Sequence, residues 1–361
     1  MSIESPYSAE PKAPPPLVQR TASSALALLS GGLHACVRAL LTLPDQDIAS
    51  AIGLVKVSVY YVLEQPIQLQ ALRECLQKAL GDGPPVTATF IPLPRLNDNQ
   101  QVVCDAYFLT NRAKMPERVA RLEGAPIAET TTARVVDGLR CGELAWCSGQ
   151  TGLLEQDGTS VTEQTRQTLN KLSRTLELMG LSAAQVVKFN TWRAPPPSQQ
   201  DYTQAAKLRF DWLSATDAAV TGITVPLPLH EANALIQIEV WAHADTTRQR
   251  LYPEDHWHWP SPTPYAQGVS VGRWVFVGGQ AALDAGGAVL SPQSYAEQRT
   301  ITMQYVAAVL KQAGASESDC LARLEYHTSA RTSPSRDATQ VPVVHLAYPN
   351  QLIEVDAIAW R

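Results

Sequence analysis

Charge is sparse in this sequence. Only 17% of its residues are Asp, Glu, Lys or Arg, the net charge is −5, and no local basic patch stands out, so binding to nucleic acid is not expected. Apolar runs are short as well: none approaches the roughly 20 residues that a membrane-crossing helix needs. The first residues, MSIESPYSAEPKAPPP, lack the basic start and apolar core of a secretory signal, which argues against export. Cysteines Cys36, Cys75, Cys104, Cys141, Cys147 and Cys320 are scattered, with no Cys-x-x-Cys pair of the kind that zinc or thiol redox chemistry uses. Buried thiols in a reducing cytoplasm fit that spacing. Phosphate-loop, dinucleotide and zinc-protease motifs are missing too, so no cofactor and no metal is expected, and small molecules remain as the partners.

What is present is repetition. Trp146-Cys147-Ser148-Gly149-Gln150 and Phe276-Val277-Gly278-Gly279-Gln280 both end an apolar run on Gly-Gln. Each is followed by a helical pattern, starting at Glu163-Gln164 and Glu297-Gln298 and ending at Gly180 and Gly314, so both helix ends repeat at one interval. Leu169, Leu172, Leu176 and Met179, like Ile301, Tyr305, Ala308 and Val309, fall at three- and four-residue spacing, which buries one stripe of each helix. Strands over Val186–Trp192 and Leu321–His327 follow, and Leu54–Tyr60 repeats them in the N-terminal third. Alternating runs then close each copy: Val103–Tyr107, Gln237–Trp241 and Glu354–Ile358.

Three α/β modules are therefore expected, at 1–115, 116–245 and 246–361. A second helix is expected at Ile67–Leu80 in the first and Tyr202–Leu213 in the second, and none in the third. The first module is expected to lack the opening hairpin and to begin on a helix around Thr21–Leu43. Thr110–Glu129 and Asp245–Pro264 read as linkers.

The stretch Pro264-Tyr265-Ala266-Gln267-Gly268 through Val277-Gly278-Gly279-Gln280, the helix ending in Gly-Ala-Ser, and the closing Ile353–Ala359 run resemble the Rid/YjgF family of imine and enamine deaminases, also called endoribonuclease L-PSP-like proteins. The second copy carries the resemblance through Cys147–Gln150 and Gln237–Glu239. Family members are homotrimers of a two-layer α+β module with sites in the clefts between subunits. The resemblance thus implies three fused modules forming an intramolecular pseudo-trimer, monomeric by default because the ring is already closed. Chorismatases, which also carry Rid-like modules within one chain, are a second relative.

Carried over residue by residue, the family site implies Glu354 on the last strand as the catalytic carboxylate, Tyr265 as a pocket residue, and Arg336 of Pro334-Ser335-Arg336 as the holder of a substrate carboxylate, with Arg331 as its substitute. Ser148, Gly278 and Gln280 correspond to the hairpin-end substrate contacts, Gly278 standing where the family has Ser. Gln237 and Val103 replace the Glu in the other copies, so at most one cleft keeps the deaminase equipment. The expected activity is hydrolytic deamination of a small imine or enamine carboxylate. A non-catalytic ligand-binding ring and a chorismatase-like enzyme on a larger ligand are the rival readings. Cys147, with no His beside it, reads as a small core hydrophobe, and His256 and His258, alternating with Trp257 and Trp259, as a strand packing its indoles.

Overall fold

Three mixed sheets carry the chain, and their strands follow one plan. In the computed structural model the described residues are 17–26, 30–42, 51–63, 67–110, 118–122, 134–152, 160–195, 198–214, 216–225, 229, 233–254, 257, 263–328 and 338–361. The first sheet is built from β1 (Leu17–Ser24), β2 (Ala51–Val62), β3 (Val86–Leu93) and β4 (Val102–Thr110), with helices α1 (Gly32–Thr42) and α2 (Leu69–Leu80). The second holds β5 (Arg118–Ala120), β7 (Gly138–Cys141), β8 (Leu144–Thr151), β9 (Val186–Arg193), β10 (Ala219–Thr224) and β11 (Ile236–His243), with α3 (Val161–Leu178) and α4 (Gln199–Leu213). Short β6 (Val135–Val136) pairs with β3 and extends the first sheet. The third comprises β12 (Arg248–Leu251), β13 (Gly268–Val271), β14 (Trp274–Gln280), β15 (Cys320–His327), β16 (Thr339–Pro342) and β17 (Ile353–Trp360), with α5 (Tyr295–Gln312).

In every sheet the closing strand lies between a hairpin strand and the strand after the first helix, antiparallel to both: β1-β4-β2, β8-β11-β9 and β14-β17-β15. The latter strand pairs in parallel with one more, β3, β10 or β16. This repeat makes the chain three copies of one α+β module. The helices α3 and α5 are bounded alike: Ser160 and Ser294 accept the backbone N–H of Glu163 and Glu297 at their starts, and Gly180 (φ 72) and Gly314 (φ 73) take the left-handed turn beyond their ends.

The first copy departs from expectation. Leu17–Ser24 is a strand paired with β4 along its length, and the helix starts only at Gly32. Its side chains alternate, Leu17 entering the central core while Val18 and Ala22 lie toward the helices, which is a period of two. Half of the opening hairpin is thus kept. Both expected linkers add edge strands, β5 beside β7 and β12 beside β13. Among the described residues none between β15 and β16 is helical.

Alternation sorts the strands into two faces. Outward residues such as Cys104, Ala106 and Phe108 of β4 pack on that module's own helices, and the other two sheets do the same. Inward residues of all three modules meet in two apolar layers. One joins Tyr107, Trp146, Trp241, Phe276 and Ile358; the other joins Tyr60, Val103, Trp192, Ile223 and Tyr326. No helix among the described residues is long and apolar enough to cross a membrane.

Candidate functional site

Between the two inner layers lies a belt of buried polar groups, fixed by register. Asp105, Glu239 and Asp356 occupy one position on the three closing strands, opposite Ser58, Asn190 and Leu324. Lys56, Lys188 and Ala322 share the position opposite Tyr107, Trp241 and Ile358. At two seams the lysine reaches the next module: Lys56 Nζ to Glu239 Oε2 at 2.6 Å, and Lys188 Nζ to Asp356 Oδ2 at 3.0 Å. At the third, where the lysine position is Ala322, the Asp105 carboxylate accepts from Gln19, Thr21 and Thr339. Burial pushes that carboxyl up to about 7, against the pull of these hydrogen bonds and of the Lys56 charge.

Two residues before each acid is the position that faces the seam: Glu354 on β17, Gln237 on β11 and Val103 on β4, opposite Tyr326, Trp192 and Tyr60. Near the end of each module's inner strand stands one equivalent residue: Arg193 on β9, Tyr61 on β2 and His327 on β15. Arg193 comes together with Glu354 at the second–third seam. Of these three pairs of positions, the one at the second–third seam combines a carboxyl with a guanidinium.

A cavity of about 180 Å³ opens there. Module two supplies Arg193, Tyr202 and Arg209; module three supplies Tyr265, Tyr348 and Glu354, with Trp257 and Gly279 completing the wall. Tyr265 is held in the seam by its neighbour Ala266, which bridges β10 at Ala219 and donates its N–H to the Ala218 carbonyl. Gly279 lets the Glu354 carboxyl approach: a Cβ there would stand 2.0 Å from Oε1. Gln351 donates from Nε2 to Glu354 Oε2 at 3.2 Å.

Burial, with Asp356 close by, pushes the Glu354 carboxyl up to about 7, against the pull of Gln351, Arg193 and Lys188. Arg209 is brought down to about 10 by burial and by the like charge of Arg193. Arg193 lies over the Tyr202 ring at 4.5 Å. Among the described residues neither guanidinium has a salt-bridge partner. The cleft thus presents two cationic donors and a carboxyl able to hold or release a proton near neutrality, walled by aromatic rings.

The sequence-derived residues divide. Glu354 and Tyr265 line the cavity together. Arg336 and Arg331 lie outside the described residues, as do His256 and His258. Ser148 sits at the other seam, its hydroxyl donating to the Val136 carbonyl and accepting the Ala88 N–H, so it stitches β8 to the first module. Gln280 is also engaged elsewhere: its amide donates to Gln267 and to the Gly278 carbonyl, bracing the hairpin end. Gly278 packs against the Val220 backbone and its N–H donates to Gln267. In this structure the contacts of these three serve the seam and the hairpin end. Cys147 lies in the helix-side core, where burial pushes its thiol up, and none of the six cysteines forms a disulfide.

Arg193 and Arg209 are what the sequence reading missed. The family pattern points to Arg336 or Arg331, in the copy that carries Glu354, yet a cleft between copies draws cations from the preceding one as well. The usable signal was Arg193, the residue directly after the Val186–Trp192 strand.

The sequence matches the endoribonuclease L-PSP family over residues 126–244 and 258–333, more than half of the chain. No curated protein matches it. Among solved structures, a chorismatase is similar over 95% of this chain and 98% of its own, at 13% identity and a TM-score of 0.53, which is a likeness of fold. A YjgF-family protein from Mycobacterium tuberculosis matches 30% of this chain and 85% of its own at 20% identity, with a TM-score of 0.26. TdcF from E. coli, with bound serine, matches 30% of this chain and 87% of its own at 22% identity and a TM-score of 0.27. The chain belongs to the endoribonuclease L-PSP family, the Rid/YjgF proteins, and carries three copies of the family's module in one polypeptide.

Proposed function

We propose that the chain, divided near residues 115 and 245, is a hydrolytic enzyme for small carboxylates and that the second–third cleft is its working site. The observation that carries this reading is the meeting of Arg193, Arg209 and a proton-holding Glu354 in one cavity. A guanidinium binds a substrate carboxylate through paired N–H donors, and Arg193 and Arg209 supply them. Glu354 acts on the reacting carbon. As carboxylate it takes a proton from the attacking water and passes it to the imine nitrogen as the water oxygen bonds to carbon; it then takes the proton of the new hydroxyl and gives it to the amine, which leaves as ammonia while the C=O of the keto acid forms. A group titrating near neutrality serves both halves. Tyr265 and Tyr348 line the walls and limit bulk water.

The test is ammonia and keto-acid release from 2-aminoacrylate-derived imines by the wild type and by Glu354→Gln. Equal rates would remove Glu354 from the chemistry. Ligand-induced thermal stabilisation without turnover would favour the non-catalytic binding ring.

One observation favours a second reading. Among the described residues neither guanidinium is ion-paired; two exceed what a single carboxylate requires, and they suit a substrate with two acid groups on an unsaturated body, stacked among Tyr202, Tyr265 and Trp257. A chorismatase-like activity on a larger diacid would use the same clamp. Consumption of chorismate without release of ammonia from imines would select this reading.

A further inference from the structure

We propose that Lys188 is the positioning residue of this cleft: it reaches across from the second module and fixes the backbone seat of the Glu354 carboxyl. The inference deepens the reading of Glu354 as proton carrier and rests on it. Lys188 is 1% exposed, and its ammonium has three partners: Asp356 Oδ2 at 3.0 Å, Thr221 Oγ1 at 3.4 Å and the Val277 carbonyl at 3.3 Å. Val277 runs directly into Gly278-Gly279, and Gly279 packs against the Glu354 carboxylate without room for a Cβ. Asp356 lies two residues beyond Glu354, on the same face of β17. One ammonium therefore grips both parts of the seat, the hairpin end beneath the carboxyl and the strand that carries it. Lysine suits this because its three donors can be spread over separate acceptors.

The other seams act as internal controls. Lys56 stands behind the polar Gln237, and Ala322 stands behind the apolar Val103. Ring closure by itself does not call for the lysine, since the Ala322 seam is joined by hydroxyls and an amide on Asp105. The lysine accompanies a polar residue two positions before the belt acid, Glu354 or Gln237, and is replaced where that residue is Val103.

Among the described residues the titratable and charged groups around Glu354 are Asp356 on its own strand, Arg193 and Lys188 from β9, Tyr326 from β15, Tyr202 and Arg209 from α4, and Tyr265 and Tyr348. The test follows the Glu354 carboxyl by infrared difference against Glu354→Gln, using the full chain and no substrate. In Lys188→Met/Asp356→Leu, which replaces the buried pair by apolar groups of similar size, the seat loosens and water enters. The titration midpoint should then fall by about one pH unit or more toward the ordinary carboxylate range. Thr221→Val, which deletes the hydroxyl between the two charges and keeps the shape, should move it the same way by less. The matching pair at the neighbouring seam, Lys56→Met/Glu239→Leu, should leave it in place. An unmoved midpoint in whichever second–third variant folds, or an equal shift from the neighbouring pair, overturns the proposal. A wild-type midpoint already in the ordinary carboxylate range would instead sink the reading of Glu354 as proton carrier, and that failure is separate because it is seen before any substitution.

Discussion

The second–third and third–first seams are built from the same strands in the same register, yet they differ at every position that matters for chemistry. One has Glu354 facing Arg193 with Lys188 behind; the other has Val103 and His327 with Ala322 behind. The first–second seam lies between them, with Gln237, Tyr61 and Lys56. A symmetric homotrimer cannot vary one cleft without varying all three. Fusion removes that constraint, so one cleft can keep a carboxyl and cations while another is filled with apolar side chains that hold the ring together.

The largest effect is expected from breaking the belt. Lys56→Met leaves Glu239, 2% exposed, as an uncompensated buried charge and should cost about 3–5 kcal/mol in urea unfolding. Lys56→Met/Glu239→Leu should recover most of that loss. A single variant within about 1 kcal/mol of wild type would mean that the seams do not depend on their ion pairs.

Making one seam imitate another comes next. Glu354→Gln gives the second–third cleft the residue that the first–second cleft has at Gln237. Turnover should drop about 100-fold or more, the scale of a lost general acid–base, while the fold persists. Steady-state rates over pH 5–9 would expose the change.

The third–first seam predicts a pH effect of definite sign. Asp105 titrates at about 7 in the folded chain and near 3.9 when unfolded. Between those values the folded form holds the extra proton, so stability is greatest below the unfolded value and falls as pH rises through the folded one. The slope is at most about 1.4 kcal/mol per pH unit. Glu354, at about 7, contributes with the same sign. Asp105→Asn should remove roughly half of the slope; an unchanged pH dependence of the unfolding midpoint would refute the assignment.

Much of the fold was legible because it is written locally. Period-two runs recur in each copy, and helical spacing with a terminal glycine marks α3 and α5 at matching places. The strand Leu17–Ser24 was not legible, because the Ala- and Leu-rich residues that follow it extend a helical pattern backward, and only pairing with β4 decides its conformation. The site was half legible. Glu354 and Tyr265 lie in the copy closest to the family pattern, whereas Arg193 and Arg209 belong to the copy before it. Comparing copies position by position aligns equivalent residues, but a cleft joins non-equivalent ones. Ser148 and Gln280 match the family by position, and in this structure their hydrogen bonds go to the seam and the hairpin.

The smallest expected effect is also the sharpest test of the three-seam equivalence. Ala322 occupies the lysine position of the third–first seam, is 2% exposed, and has the large side chains of the central layer around it. Ala322→Lys should carry an ammonium to Asp105 as Lys188 carries one to Asp356. Two terms then oppose each other, the attraction of the new pair and the strain of a longer side chain in a packed layer, so net stability at pH 8 should change by only about 1 kcal/mol. The pH dependence is less ambiguous. An adjacent cation lowers the Asp105 titration, the folded chain no longer holds the extra proton, and the Asp105 share of the downward slope between about pH 4 and 7 should vanish. Asp105→Asn removes the same share by deleting the titrating group, so the two variants should have matching slopes despite opposite changes in buried charge. A folded Ala322→Lys protein that keeps the wild-type slope would mean that position 322 does not face Asp105 as Lys188 faces Asp356, and the equivalence of the three seams would fail at that point.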